Sequence, residues 1–203
     1  MRNALLIIIV LVLVLAGCGG CNTYNTLIGQ DENVRNKWNN VESQYQRRAD
    51  LIPNLVATVK GEANFEKSTL ENVINARASA TQMKVNAENL TPEAVQQYQN
   101  AQGQLSQALG RLLMVAENYP TLRANDAFRN LQTQLEGTEN RITVARNEFN
   151  TAVQEYNNVA RRFPGNIFAG MFGFRPKEGF KADPGSQNAP SVDFSNPATD
   201  TSR

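Results

Sequence analysis

Residues 128 to 163 carry the most regular pattern in the chain, and this pattern constrains the fold most strongly. Apolar or small side chains recur there at alternating steps of three and four residues: Phe128, Leu131, Leu135, Thr138, Ile142, Ala145, Phe149, Ala152, Tyr156, Val159 and Phe163. Such steps place side chains on one face of a helix, and a sustained seven-residue repeat gives the seam of a left-handed coiled-coil packing. We therefore predict a long helix that starts near Asn125 or Asp126 and ends at Pro164 and Gly165.

Three further helical segments precede this one. The first is predicted to begin near Asp31 or Glu32 and to continue to Lys60, with an apolar stripe at Val34, Trp38, Val41, Tyr45, Ile52, Leu55 and Val59. Pro53 interrupts the first segment, and its missing N–H leaves the carbonyl of Ala49 without a helical partner. Because the stripe keeps its register across Pro53, we expect one bent helix.

The second and third segments follow Gly61 and have weaker patterns. The apolar side of the second contains Phe65, Leu70, Val73, Ile74, Ala78 and Met83. Thr91 and Pro92 suit the N-cap and first position of the third helix, whose apolar residues are Val95, Tyr98, Leu105, Leu109, Leu112 and Ala116. Four helices with short joints predict an up-and-down four-helix bundle over residues 22–164.

Composition excludes several functional classes. The net charge is only +1, so the chain lacks the basic field that nucleic acids require. It contains no histidine, which removes the commonest general base and transition-metal ligand. No phosphate-cradling glycine loop or serine elbow is present. We expect a non-enzymatic protein without a cofactor, a metal or a small-molecule substrate.

The N-terminal residues 1–21 predict a membrane leader. A positive start is followed by an unbroken apolar run over residues 4–16 and then by residues 17–21, Gly-Cys-Gly-Gly-Cys. Residues 15–18, Leu-Ala-Gly-Cys, resemble the lipobox of bacterial lipoproteins, which would place diacylation at Cys18. An uncleaved single-pass anchor is the alternative. A zinc or redox role for the two cysteines is disfavoured, because zinc requires four ligands.

Four charged residues form a candidate polar network. Arg48 interrupts the apolar stripe of the first helix, Arg77 lies on or beside the stripe of the second, and Glu136 and Glu139 lie one turn apart on the fourth. We expect the arginines to meet one of these carboxylates in a buried or half-buried ion pair that fixes helix register. Alternatively, both arginines extend to the surface. A di-iron site is disfavoured, because such sites need histidines.

Residues 165–182 form an apolar, glycine-rich segment after the last helix. If each joint reverses the chain, this segment returns to the leader end of the bundle. It is predicted to cover the open end of the bundle, or alternatively to contact lipid or a partner through Ile167, Phe168, Met171, Phe172 and Phe174. Residues 183–203 lack periodicity and are rich in Pro, Ser, Asn and Asp, which predicts a disordered tail.

Several of these stretches resemble the LemA family. The resemblance is carried by residues 46–56 (QRRADLIPNLV), 73–78 (VINARA), 131–141 (LQTQLEGTENR) and the Phe163–Phe174 segment, and it covers nearly the whole chain after the leader. It implies a helical bundle in a membrane-tethered domain on the extracytoplasmic side, with no established enzymatic activity or cofactor. Related members are linked to membrane organisation and envelope assembly. The Gly- and Cys-rich junction at residues 17–21 departs from the longer plain anchor of many LemA-like chains.

The sequence thus predicts a helical module that is tethered to the cell membrane. Its expected role is an interaction or scaffold protein of the bacterial envelope, which binds an unidentified envelope protein or associates with itself. The alternative is a membrane-shaping or lipid-contacting role through residues 165–182.

Overall fold

The computed structural model describes the backbone of residues 2–62, 65–88 and 90–181, and the side chains from Asn22 onward. Its helices are α1 (Arg2–Lys60), α2 (Lys67–Gln82), α3 (Pro92–Ala116), α4 (Pro120–Ala124), α5 (Asp126–Arg161) and α6 (Gly165–Phe172). No strand occurs within these ranges, so the described part of the chain is all-α, as predicted. The predicted tail, residues 183–203, lies outside them.

Helix α1 is longer than the sequence pattern predicted. It begins at Arg2, so the expected start near Asp31 or Glu32 is wrong. Neither the apolar run nor the residues after it contain a proline before Pro53, and the glycines at 17, 19 and 20 weaken a helix by only about 1 kcal/mol each. The expectation of one helix through Pro53 is confirmed.

The carbonyl left unpaired by Pro53 has found a partner on another helix. The Nε–H of Arg77 donates a 2.8 Å hydrogen bond to the carbonyl of Ala49. A buried carbonyl without a partner would cost about 1–3 kcal/mol. The arginine of α2 thus compensates for the proline of α1 and ties the two helices together.

The predicted starts of α3 and α5 are confirmed. The Thr91 hydroxyl accepts from the N–H of Ala94, and the Asn125 side chain accepts from those of Ala127 and Phe128. These bonds satisfy backbone donors that have no partner within a helix. The short helix α4 was not predicted; it has a proline at its first position and buries Leu122.

The long helices pack in antiparallel pairs. Helix α1 lies antiparallel to α5, as two ion pairs show. Lys37 pairs with Glu148, and Arg48, which is further along α1, pairs with Glu139, which comes earlier on α5. Helix α2 lies along α3, and α6 contacts both α1 and α5. The part of α1 that follows the predicted leader therefore meets the C-terminal end of α5, where α6 begins, and we call this the leader end of the molecule.

The buried side chains fall into two clusters. The leader-end cluster comprises Leu27, Val34, Trp38, Val41, Tyr45, Val85, Leu90, Val95, Tyr98, Ile142, Ala145, Phe149, Ala152, Val153, Tyr156, Ala160, Ala169 and Phe180. The far-end cluster comprises Ile52, Leu55, Val56, Val59, Phe65, Leu70, Val73, Ala80, Leu105, Leu109, Leu112, Ala116, Leu122, Phe128, Leu131 and Leu135. Most positions of the predicted stripes are therefore in the core.

Some positions of the predicted stripes are not in the core. Ile74 and Ala78 are exposed, because α2 packs through Leu70, Val73 and Ala80 instead. Phe163 is 80% exposed, because α5 ends at Arg161 and the chain leaves the helical register before it.

Among the residues whose side chains are described, no helix combines the length and apolarity needed to cross a membrane. The predicted leader, residues 1–21, and the predicted lipidation at Cys18 lie outside the described side chains.

Candidate functional site

Arg48 lies between the two core clusters and is 1% exposed. Its Nη1 donates to Glu139 Oε1 at 2.6 Å and to Ser106 Oγ at 2.7 Å. Its Nη2 donates to the side-chain oxygen of Gln102 at 2.6 Å and to the Gln102 carbonyl at 3.3 Å. The guanidinium also lies 5.0 Å from the centre of the Tyr45 ring. One arginine of α1 thus joins α3 and α5.

This arrangement excludes the surface alternative for Arg48. The side chain of Glu139 is 46% exposed, so water reaches the carboxylate while the guanidinium stays buried. Nε of Arg48 has no hydrogen-bond partner within the described residues. A buried charge must be paired to be tolerated, and such pairs specify alignment more than they add stability. The geometry suits a structural role that sets the register of α1, α3 and α5.

The other two predicted members of the polar network lie elsewhere. Arg77 binds the Ala49 carbonyl, and no carboxylate of the described residues forms an ion pair with it. Glu136 is exposed and accepts a hydrogen bond from Gln132 on its own helix. The structure therefore brings Arg48 and Glu139 together, and places Arg77 and Glu136 outside that contact. The reason is that Glu136 lies almost a turn before Glu139 on α5, facing solvent.

A second polar arrangement lies at the leader end, where the chain after α6 runs extended along α5. We call residues 174–181 the strap. Asn150 donates to the carbonyl of Phe180 at 3.2 Å and accepts from its N–H at 2.8 Å. Asn157 does the same for Lys177, at 2.8 and 2.9 Å. Gln99 of α3 holds Lys181 in the same way, at 2.9 and 3.3 Å.

Two side chains of the strap enter pockets. The Phe180 ring stacks on Trp38 with ring centres 5.8 Å apart and contacts Phe149 edge-on with ring centres 5.5 Å apart. The Arg146 guanidinium lies over the Phe180 ring, 4.9 Å from its centre. Lys177 pairs with Asp31 of α1 at 2.9 Å, with both side chains mostly buried, and lies 5.4 Å from the Tyr156 ring. Removing only one partner of such a mostly buried ion pair destabilises the fold, because the other charge is then left without a partner.

Burial also changes the acidity of two tyrosines of the leader-end cluster. Removal from water raises the pKa of Tyr156 to about 12, and the nearby Asp31 carboxylate adds to the shift. Burial likewise raises the pKa of Tyr98, with Tyr45 and Glu42 contributing. The Tyr156 hydroxyl donates to the Arg175 carbonyl at 2.9 Å, a bond that needs the protonated phenol. Both tyrosines are therefore neutral hydrogen-bonding groups near neutral pH.

Large apolar side chains are exposed at the same end of the molecule. We call this set the apolar patch: Ile28, Phe163, Ile167, Met171 and Phe172, each between 43% and 80% exposed. Phe172 lies beside Tyr24 of α1, with ring centres 4.6 Å apart. The patch therefore borders the part of α1 that follows the predicted leader.

The predicted contact segment is divided between the core and the surface. Phe168 and Phe174 are partly buried against the leader-end cluster, whereas Ile167, Met171 and Phe172 remain exposed. Residues 165–181 thus pack against the leader-end cluster with one side and present apolar side chains to the outside with the other. Contact of the exposed side with lipid or a partner remains a prediction.

Sequence reasoning missed the strap and its partners. Asn150 and Asn157 are seven residues apart, next to the seam positions Phe149 and Tyr156, and this repeat of amides beside the seam was an available signal. Nothing comparable marks Gln99 or Asp31. Among the described residues, no three His, Cys, Asp or Glu side chains are grouped to bind a metal ion.

Comparisons with known proteins place these features in a family. The sequence model described as the LemA family matches residues 37–194, which confirms the resemblance noted above. The curated relatives include Magnetosome protein MamQ 2 and Magnetosome protein MamQ 1 of Paramagnetospirillum magneticum, each 28% identical over 180 residues. Magnetosome protein MamQ of Magnetospirillum gryphiswaldense is 28% identical over 178 residues. These alignments cover 79% of this chain but only 65% of each relative's length.

Proposed function

The chain belongs to the LemA family, and from this premise we propose that it is a non-enzymatic, membrane-tethered helical module of the bacterial envelope. In this proposal its long helices form an up-and-down bundle on the extracytoplasmic side, and the bundle serves as an interaction or scaffold surface. The tether is the leader, either lipidated at Cys18 or retained as a single-pass anchor. The relatives' names assign them to the magnetosome, and the proposal does not carry that organelle over to this chain.

The observation that carries this proposal is the continuity of α1. One helix runs from Arg2 to Lys60, and its second half supplies Trp38, Arg48 and Leu55 to the core. At about 1.5 Å per residue, such a helix transmits position and orientation without a flexible joint. The continuity of the predicted leader with the core supports a domain that is held at a fixed distance and angle from the membrane, as a scaffold requires.

Co-purification from cross-linked membranes tests the interaction role. The full chain is the bait, and the control bait carries the same tag on residues 1–31 alone, which reports proteins captured by the leader. We expect envelope proteins enriched at least about tenfold on the full chain, a difference of about 1.4 kcal/mol in binding. Purified pairs must then bind each other directly. Equal enrichment on both baits contradicts the scaffold proposal.

The apolar patch favours lipid contact as a second candidate function. Phe172 lies beside Tyr24 of α1, and Ile167 and Met171 are exposed on the same short helix α6. Arg161, Arg162 and Arg175 are exposed in the same region, and no ion pair holds them within the described residues. Apolar side chains bordered by cations are typical of segments that lie in the interface of anionic membranes.

Flotation with anionic liposomes tests this candidate on a chain that begins at Asn22. The double variant Ile167→Gln and Met171→Gln removes apolar area from the patch, and we expect at least about tenfold weaker partitioning at about 25 cal/mol per Å². The matched control is Val144→Gln with Met114→Gln, which changes exposed apolar residues outside the patch. Equal flotation of both double variants contradicts the lipid role. Circular dichroism verifies that each variant keeps its helices.

A further inference from the structure

The strap is bound in the manner of a peptide ligand. Three side-chain amides from α3 and α5 each contact both the N–H and the carbonyl of one strap residue, at Lys177, Phe180 and Lys181. These contacts recognise extended backbone regardless of side chain, as sheet edges do when they bind peptides. The groove between α1, α3 and α5 therefore has the chemistry of an extended-peptide site.

Specificity comes from the two pockets and from one glycine. Lys177 meets Asp31 and Tyr156, and Phe180 fills the space between Trp38, Phe149 and Arg146. A Cβ at Gly179 would overlap the Asn150 side chain, so the groove accepts glycine there. The preferred ligand is thus an extended peptide with lysine, glycine and phenylalanine in the order Lys-x-Gly-Phe.

The strap is joined to α6 through one permissive residue. Gly173 has φ of +77°, in the left-handed region that glycine adopts without strain. All three amide clamps and both pockets act on residues 177–181. A change of backbone angles near Gly173 can therefore turn residues 174–181 away from their own groove while α6 stays packed against α1 and α5 of its own chain. Eight extended residues reach at most about 28 Å.

We propose that the groove also binds the strap of a second copy of this chain, so that two copies exchange residues 174–181. Exchange replaces each contact by an identical one, so its cost is mainly the entropy of association. Copies held on one membrane have a raised local concentration, which lowers that cost. The inference names one partner for the proposed interaction role and rests on that role.

Photo-cross-linking of the full chain tests the exchange. A donor chain carries a photoreactive phenylalanine analogue in place of Lys181, whose side chain is exposed and whose backbone alone contacts Gln99. A receiver chain with a different tag has the natural sequence. We expect a light-dependent covalent heterodimer in shared vesicles, with cross-linked receiver peptides from α3 or α5 near Gln99 or Arg146.

Two controls make the result specific. Placing the same analogue at Met114, which is 73% exposed and belongs to neither the strap nor its groove, reports chance collisions. A Lys177→Glu donor paired with an Asp31→Lys receiver should give at least about tenfold more heterodimer than either variant paired with the natural chain. In each closed variant like charges meet at this mostly buried contact, whereas exchange restores an opposite-charge pair in both grooves.

The need for both substitutions separates exchange from misfolding, because a misfolded variant would give the same yield with either partner. A Lys181 donor that yields no more heterodimer than the Met114 donor overturns the proposal, and so does a charge-swapped pair that yields no more heterodimer than each variant yields with the natural chain. Neither result depends on the co-purification experiment, so the scaffold role and strap exchange can fail separately.

Discussion

The two halves of the core use different means to close. The far-end cluster is formed by helices apart from Phe65, which lies between α1 and α2, and it is mainly aliphatic, with Leu55, Leu105 and Leu112 fully buried. The leader-end cluster is rich in aromatic rings and includes residues from two non-helical segments, through Val85 and Phe180. The first half rests on burial, whereas the second also needs hydrogen bonds and ion pairs to hold its extended parts.

This difference has a physical cause. Helix α2 ends at Gln82, so the chain passes the leader-end half as extended backbone, and Trp38 donates to the Val85 carbonyl at 3.3 Å. An extended segment cannot satisfy its own backbone groups. Side chains from neighbouring helices must do so. The half nearest the predicted leader is therefore the half whose closure depends on specific hydrogen bonds and ion pairs.

The largest expected loss of stability comes from truncating one large core side chain in each half of the core. Trp38→Ala should cost about 4 kcal/mol of unfolding free energy, and Leu112→Ala in the far-end cluster about 3 kcal/mol. Only the tryptophan change removes the surface on which Phe180 stacks. Chemical denaturation measures both losses, and amide exchange at Phe180 should accelerate locally in Trp38→Ala alone. Equal acceleration in both variants would show that the halves unfold as one unit.

A smaller effect is expected from the tight approach of the strap. Gly179→Ala places a methyl group against the Asn150 amide and should cost about 2 kcal/mol, because overpacking at a fixed contact costs 1–3 kcal/mol. The control is Gly170→Ala on α6, where nothing lies within 4 Å of the added carbon. Thermal unfolding should show the control unchanged or slightly stabilised, since alanine favours a helix. If Gly170→Ala lowers the unfolding temperature and Gly179→Ala does not, the close approach of Asn150 to Gly179 is contradicted.

Alkaline titration addresses the acidity of the leader-end cluster. The folded state holds the Tyr156 proton more tightly than the unfolded state, since its pKa is raised to about 12. The associated stability is complete below pH about 10 and is lost as pH rises through about 12. Tyr156→Phe should flatten this part of the stability profile and cost about 1 kcal/mol at neutral pH through the lost bond to Arg175. An unchanged alkaline profile in Tyr156→Phe would contradict this assignment.

The smallest effect is expected at the boundary between the clusters. Arg48→Met replaces a buried charge by an apolar side chain of similar length, and the change in stability should be within about 1 kcal/mol of zero. Glu139→Gln should destabilise more, because it leaves the guanidinium buried without its carboxylate. Chemical denaturation of both variants checks the order. A reversed order would show that the ion pair itself stabilises the fold. Lost partner binding by folded Arg48→Met would assign the arginine to function.

Prediction from sequence succeeded where local rules apply and failed where distance matters. Helical periodicity and the caps at Thr91 and Asn125 are local, so the long helices were predicted well, apart from the start of α1. Arg48 and Glu139 were both candidates because each broke or bordered a stripe. Which carboxylate meets Arg48 depends on the rotation of α5 against α1, which no local pattern encodes.

The sequence by itself determined the all-helical class, the main helix boundaries and the unusual position of Arg48, because side-chain periodicity and capping act over a few residues. Only the tertiary structure decided that Arg77 donates to the Ala49 carbonyl that Pro53 leaves without a helical partner, and that three side-chain amides bind the strap. It also decided how residues 165–181 are divided between core and surface. The reason is physical: extended segments have no periodic signal, and their partners are distant in sequence and adjacent only after folding.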